Sequence, residues 1–337
     1  MLTLICPGLL GPIPVAAETL PKVPAIDRLL ARADRIPTGG HDAATALLRH
    51  VGVSTDPERD APTAAISLLG ESPDTRCAGY WMHADPVHLR PDRDRLLLFA
   101  GAGVTPDRAE ADALVALFNG HFAAEGLRLT APHPNRWYLG ADRALDLRTE
   151  PLECVIGVPV PLDVPSGADA RRWRGLMNEV QMLFYDSEVN RLREQARRPA
   201  INGIWTWGGG VLPARSGAPP DAVVGDDPLT AGLARWCGVA HRSLEGWSPQ
   251  ESLPGRRHLV LWGRLGAALL ERDLDAWSTA LLALDATLAV LEARIKRGGL
   301  DQVLLDPCEG IAYRLTRSAS RRFWRRGRLV EGLVQRA

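Results

Sequence analysis

Ile201-Asn202-Gly203-Ile204-Trp205-Thr206-Trp207-Gly208-Gly209-Gly210 is the stretch on which the reading of this chain turns. Two indoles and an asparagine run into three consecutive glycines, just after a helix rich in arginine. Trp205 and Trp207 lie two apart, so on a strand both point to one face. Gly208, Gly209 and Gly210 can take backbone angles closed to other residues and let a ligand or another segment approach closely. The stretch therefore reads either as a buried strand that ends in a plain loop or as a strand and glycine loop that hold a ligand.

Working outward, residues 168–195 form an amphipathic helix pattern with Trp173, Leu176, Met177, Val180, Leu183 and Phe184 periodic, preceded by a proline-rich linker at 159–167. Residues 80–89 read as a strand and 92–100 as its hairpin partner. Thr105-Pro106-Asp107 caps a helix that runs to about residue 124, and 127–130 with 136–139 complete a small α+β insert. Nearer the N-terminus, residues 2–6 read as a buried first strand, 24–33 and 42–51 as helices, and 60–70 as a further apolar segment. Beyond the glycines, 221–225, 258–262 and 302–306 read as strands and 228–237 as a short helix. A strongly amphipathic helix at 277–296 stops at Gly298-Gly299. Strands alternating with helices argue for a central, mostly parallel sheet covered on both faces.

The chain has 337 residues, 46% hydrophobic and 24% charged, with a formal net charge of zero. That is ordinary globular composition, without a global pull toward nucleic acid or an anionic membrane. The five cysteines (Cys6, Cys77, Cys154, Cys237, Cys308) are scattered, odd in number and without a CxxC pair, which supports neither a zinc ribbon nor a disulfide framework. A reduced, cytoplasmic protein is expected. Residues 1–17 are apolar but lack a basic start, and Pro7, Pro12 and Pro14 interrupt them, so they do not read as a signal peptide. No apolar run reaches the length of a membrane span.

The order of these pieces resembles the RpfE-type bacterial regulatory proteins. The matching stretches are Ala84-Asp85-Pro86-Val87-His88-Leu89-Arg90, residues 92–99, residues 178–190 and, above all, residues 202–210. More distantly the chain is similar to the archaeal-type cofactor-independent phosphoglycerate mutases of the alkaline phosphatase superfamily, whose first helix start corresponds to Val23-Pro24-Ala25-Ile26-Asp27. The resemblance implies an alkaline-phosphatase-like α/β fold, a mostly parallel sheet flanked by helices. The core would be built from 1–75 and 161–337, with a small α+β insert at 76–160.

That superfamily transfers phosphoryl groups through a Ser or Thr nucleophile between two metal ions held by Asp and His at several strand ends. This chain departs from the pattern at each place. Its first strand runs into Cys6-Pro7-Gly8, with no carboxylate before Glu18. The turn comparable to the nucleophile turn reads Gly40-His41-Asp42, with Thr45 one helical turn later. The late strands carry His258-Leu259-Val260-Leu261-Trp262-Gly263 and Leu305-Asp306-Pro307-Cys308-Glu309. Asp306 alone could survive as a ligand, and one carboxylate does not hold a metal pair.

Candidate residues follow from this. His41 and Asp42, at a helix start, could bind phosphate or act as acid and base, against a plain helix cap. Asn202, Trp205, Trp207, Gly208, Gly209 and Gly210, with Arg198 from the run Arg191, Arg193, Arg197 and Arg198, form a candidate anion or ligand site. Asn190 and Asn202 also suit a structural role, tying loops through their amides. His83, His88, His121 and His133 lack metal-ligand spacing. The tail Arg321-Arg322-Phe323-Trp324-Arg325-Arg326 is expected to pack its two aromatics on the body with the arginines exposed.

The expectation is a non-catalytic, phosphoglycerate-mutase-like regulatory or binding protein without metals or other cofactors. Its partner would be another protein or a small anionic ligand, not a membrane or nucleic acid. The alternative is a working mutase or metal-dependent phosphatase with a rearranged site and two divalent ions, Mn²⁺ or Zn²⁺.

Overall fold

The computed structural model describes residues 1–11, 20–39, 42–56, 58–72, 79–92, 95–101, 103–156, 159–160, 164–214, 217–251 and 254–327. The chain divides into two compact units, Met1–Ser54 with Arg215–Ala337, and Thr55–Ala214.

The first unit opens with β1 (Leu2–Ile5), α1 (Pro24–Arg32), β2 (Asp34–Pro37) and α2 (Ala43–His50). The second contains α3 (Thr63–Glu71), β3 (Tyr80–Asp92), β4 (Arg95–Phe99), α4 (Arg108–Phe122), β5 (Leu127–His133), β6 (Arg136–Ala141), α5 (Leu152–Val155), β7 (Pro159–Val160), α6 (Ala170–Tyr185), α7 (Glu188–Gln195) and β8 (Gly203–Val211). The first unit resumes with β9 (Ala222–Val224), α8 (Pro228–Cys237), β10 (Ala240–Arg242), β11 (His258–Leu261), α9 (Arg264–Leu270), α10 (Leu274–Arg297), β12 (Gln302–Asp306), β13 (Ile311–Thr316) and α11 (Arg317–Ser320).

The sheet of the first unit has seven strands in the order β10-β9-β11-β1-β12-β13-β2. The first five run parallel, and β13 and β2 add antiparallel. Strands buried on both faces need continuous apolar runs, and β1 is buried at all four residues. Leu2 and Leu4 join Val260, Val303 and Leu305 in one core with Trp277, Leu281, Leu284 and Leu288 of α10. By length and composition α10 is apolar enough to cross a membrane. Its apolar stripe lies in this core, and it also carries Asp285, whose Oδ1 accepts the Ala25 and Ile26 N–H groups at the start of α1. Glu292 of the same helix, almost wholly buried, gathers Arg28 at 3.0 Å, Lys296 at 2.7 Å and Arg32 at 3.6 Å. The mixed α/β architecture, a mostly parallel sheet flanked by helices, is the one the sequence leads one to expect.

The second unit is built on an antiparallel sheet, β5-β6-β3-β4-β7, with β8 paired to β3. Alternation along β3 sends Tyr80, Met82 and Ala84 to a core with Leu114, Phe118 and Phe122 of α4 and Trp173, Val180 and Phe184 of α6. Trp81 goes to the opposite face, where Ala64, Ala65 and Leu68 of α3 cover it together with Tyr138. Asp107 and Glu110 form a capping box at the start of α4, each side chain bonding the other's backbone N–H.

Three sequence expectations change here. The tryptophan strand lies in the antiparallel sheet because its edge partner is β3, and α3 joins the same unit, with Glu71 meeting Arg136 and Tyr138 of β6. The second unit therefore spans 55–214, where the sequence reading drew an insert at 76–160. The long helix expected at 168–195 breaks after Tyr185, since Ser187 caps a new start by accepting the Asn190 N–H at 3.2 Å. Phe323 and Trp324 do not pack inward; they are 73% and 66% exposed, because Arg322 turns in instead, toward Asp34 at 2.6 Å and the Arg32 carbonyl at 3.0 Å.

Candidate functional site

In the first unit, β1 and β12 run side by side with Ile5 opposite Asp306, so Cys6 and Asp306 emerge together at the carboxyl ends of the strands. Open α/β sheets place their ligands at such edges. Asp306 is wholly buried, and both of its oxygens are engaged. Oδ2 pairs with Arg49 Nη2 at 2.9 Å, and Oδ1 accepts the Cys308 N–H at 2.9 Å. The Cys6 N–H bonds the Asp306 carbonyl at 2.7 Å. Burial pushes both the Cys6 and the Cys308 thiol up, so neither supplies a thiolate near neutral pH. Asp42 caps α2, its Oδ1 accepting the Thr45 N–H at 2.7 Å. His41 lies outside the described residues.

The described residues here do not supply a ligand set for two divalent ions. Among the described residues no three His, Cys, Asp or Glu side chains converge to hold a metal. At the strand-end carboxylate, a guanidinium already supplies the positive charge. Arg49 was missed at the sequence level. It sits in the last turn of α2, where a cation near a helix C-terminus needs no special explanation.

In the second unit the antiparallel register sets His83 opposite Trp207 and Asp85 opposite Trp205, on one face of the sheet. The His83 ring stacks on Trp207 at 3.9 Å and 14°, with Tyr138 tilted against it at 5.2 Å. Trp207 Nε1 donates to Asp85 Oδ2 at 2.7 Å, and Trp205 Nε1 to the Glu150 carbonyl at 2.8 Å. Asn202 uses both ends of its amide on Leu89: Oδ1 accepts the N–H at 2.7 Å and Nδ2 donates to the carbonyl at 2.8 Å. Asn190 ties Ile201 and Phe184 in the same manner.

Gly208, Gly209 and Gly210 are part of β8 and form no loop. A Cβ at Gly208 would come within 2.2 Å of Thr63 Oγ1, one at Gly209 within 2.2 Å of the Tyr80 hydroxyl, and one at Gly210 within 2.6 Å of Pro62 Cβ. The glycines thus admit the start of α3 and the Tyr80 side chain to the strand. An anion does meet this backbone, and it belongs to the chain itself: the Gly209 N–H donates to Asp60 Oδ2 at 3.1 Å, and Thr149 bonds the same carboxylate.

Arg198 is likewise engaged, pairing with Glu110 Oε1 at 2.9 Å. Arg193, whose side chain is 0% exposed, reaches Glu110 Oε2 at 2.7 Å, the Pro199 carbonyl at 2.7 Å and the Val104 carbonyl at 2.9 Å. These arginines fasten α7 to the start of α4 and are not gathered around the glycines.

The titratable pair His83 and Asp85, two apart on β3, is legible in sequence only through the period of a strand. Burial holds His83 down at about 3, with Nε2 unbonded. Burial pushes Asp85 up to about 7, outweighing the Trp207 indole and the Trp137 N–H that favour its anion. Asp85 therefore contributes stability that is complete below its unfolded value and lost as pH rises toward 7. His83, whose folded value is depressed, contributes stability that grows as pH rises through the interval from 3 to 6.5. The two slopes oppose each other. Asp85→Asn should gain on the wild type by up to about 1.4 kcal/mol per pH unit between about pH 5 and pH 7. His83→Gln should lose ground as pH rises from about 4 to 6. Urea unfolding across this range measures both, and curves parallel to the wild type would refute the assignment. One Asp85 oxygen is held by the Trp207 indole, and no hydrogen bond joins Asp85 to His83 among the described residues.

No protein-family profile matches the chain, and no curated protein matches it. Among solved structures it is similar to the PH0037 protein from Pyrococcus horikoshii, with 14% identity, 99% of this chain and 91% of that one covered, and a TM-score of 0.56. The likeness is one of fold. A cofactor-independent phosphoglycerate mutase from Thermoplasma acidophilum aligns over 98% of this chain and 94% of its own at 15% identity, with a TM-score of 0.47.

Proposed function

We propose that this chain is a non-catalytic binding protein of phosphoglycerate-mutase-like ancestry. The observation that carries this reading is the Arg49 guanidinium on Asp306. A fixed cation satisfies the Asp306 carboxylate at the end of β12, a strand end where phosphoryl transfer would need metal ions. The buried thiols and the capped α2 start support the reading by supplying neither a ready ligand nor a free carboxylate. The regulatory role implied by the RpfE-type resemblance of residues 202–210 belongs to the same proposal, with a protein partner or a small anionic ligand as the bound species. The cytoplasm is the compartment proposed.

The test is metal content of the purified protein together with 3-phosphoglycerate mutase turnover in added Mn²⁺. The expected result is no stoichiometric Mn²⁺ or Zn²⁺ and no turnover. About two equivalents of tightly held metal with turnover would overturn the proposal, because ligands other than those described would then have rebuilt a two-metal centre.

A further inference from the structure

The turn after α11 is pinned at both ends. Arg322 bonds Asp34 Oδ1 and the Arg32 carbonyl, and Gly327 lies beside Ala31 of α1, where a Cβ would meet the Ala31 methyl at 3.5 Å. Between these anchors Phe323 and Trp324 protrude, 73% and 66% exposed, edge to face with ring centres 5.3 Å apart and planes at 82°. Arg314, Arg317, Arg321, Arg325 and Arg326 are exposed on the same stretch, and none of their guanidinium groups has an ion pair or hydrogen bond among the described residues. The carboxylate facing the set is Asp34, already paired with Arg322; Arg314 and Arg325 also lower its pKa.

We propose that this turn docks the protein on an anionic lipid surface, with Phe323 and Trp324 entering the headgroup region and the arginines meeting lipid phosphates. Exposed aromatic rings ordinarily find cover in a partner or an interface. The surrounding positive charge favours an anionic surface as the cover for the exposed pair. The perpendicular rings choose among anionic surfaces. Two successive bases of a single strand stack on aromatic faces, and rings at 82° do not offer two parallel faces side by side. A headgroup layer imposes no such orientation, and aromatic side chains with basic neighbours anchor in it. Each arginine near an anionic leaflet strengthens binding about fivefold.

The test is cosedimentation of the full chain with vesicles of phosphatidylcholine containing about one-third phosphatidylglycerol, against phosphatidylcholine alone, at about 0.1 M salt. Binding is expected to the anionic vesicles only, and to fall with added salt. Arg325→Ala/Arg326→Ala should weaken it roughly twenty-five-fold, and Phe323→Ala/Trp324→Ala at least tenfold. Both variants should keep the wild-type urea midpoint, since the altered side chains are exposed. No binding to the anionic vesicles, or equal binding by wild type and both variants, would overturn the proposal. So would binding to single-stranded oligodeoxythymidine in place of vesicles, which would make the turn a nucleic-acid contact.

Discussion

Arg49→Met should destabilise the first unit by about 3–5 kcal/mol, read as a fall in the urea midpoint at neutral pH. The carboxylate it leaves behind is wholly buried, and its other oxygen is already occupied by the Cys308 N–H. Removing both partners, as Arg49→Met with Asp306→Leu, should recover most of the loss, because a buried pair replaced by apolar groups of similar size is often neutral. A loss below about 1 kcal/mol in the single variant would mean that Asp306 has another source of positive charge. The proposed absence of catalysis would then lose its main support.

Gly208→Ala should cost about 2–5 kcal/mol. The residue sits at φ +62°, which costs a side-chain-bearing residue about 1–2 kcal/mol. The added methyl would also overlap Thr63 Oγ1, and overpacking of this kind costs about 1–3 kcal/mol more. Thr63 Oγ1 is buried without a partner, so Thr63→Ala removes the obstacle at little expense in hydrogen bonding. The double variant should therefore lose clearly less than the sum of the singles, while the backbone term persists. If Gly208→Ala left stability unchanged, the space beside β8 would be open, and the ligand-site reading of the glycines would return.

Much of the fold was legible because its signals are local. The apolar runs of Leu2–Ile5 and Gln302–Asp306 announce parallel strands, and the periodicity of 277–296 announces the helix that covers them. The site was less legible, because its decisive contacts join distant residues. Arg49 and Asp306 are 257 positions apart, and Asp60 and Gly209 are 149 apart. No spacing rule links either pair. The glycines misled for a related reason: Gly-Gly-Gly admits any close neighbour, and only the position of Tyr80 and α3 shows that the neighbour is the protein itself. Composition likewise suggested that Phe323 and Trp324 would be covered, whereas Arg322 took the inward place.

The position of β1 carries a cost during synthesis. It leaves the ribosome well before its two neighbours in the sheet, β11 and β12, with Leu2 opposite His258 and Val303. At the usual pace of translation the four residues of β1 wait roughly fifteen to sixty seconds for both partners. Meanwhile the second unit, drawn from one unbroken stretch, can complete its own sheet. The nascent chain thus carries an unpartnered apolar strand beside a finished sheet, and for that interval β1 is a natural client for a chaperone.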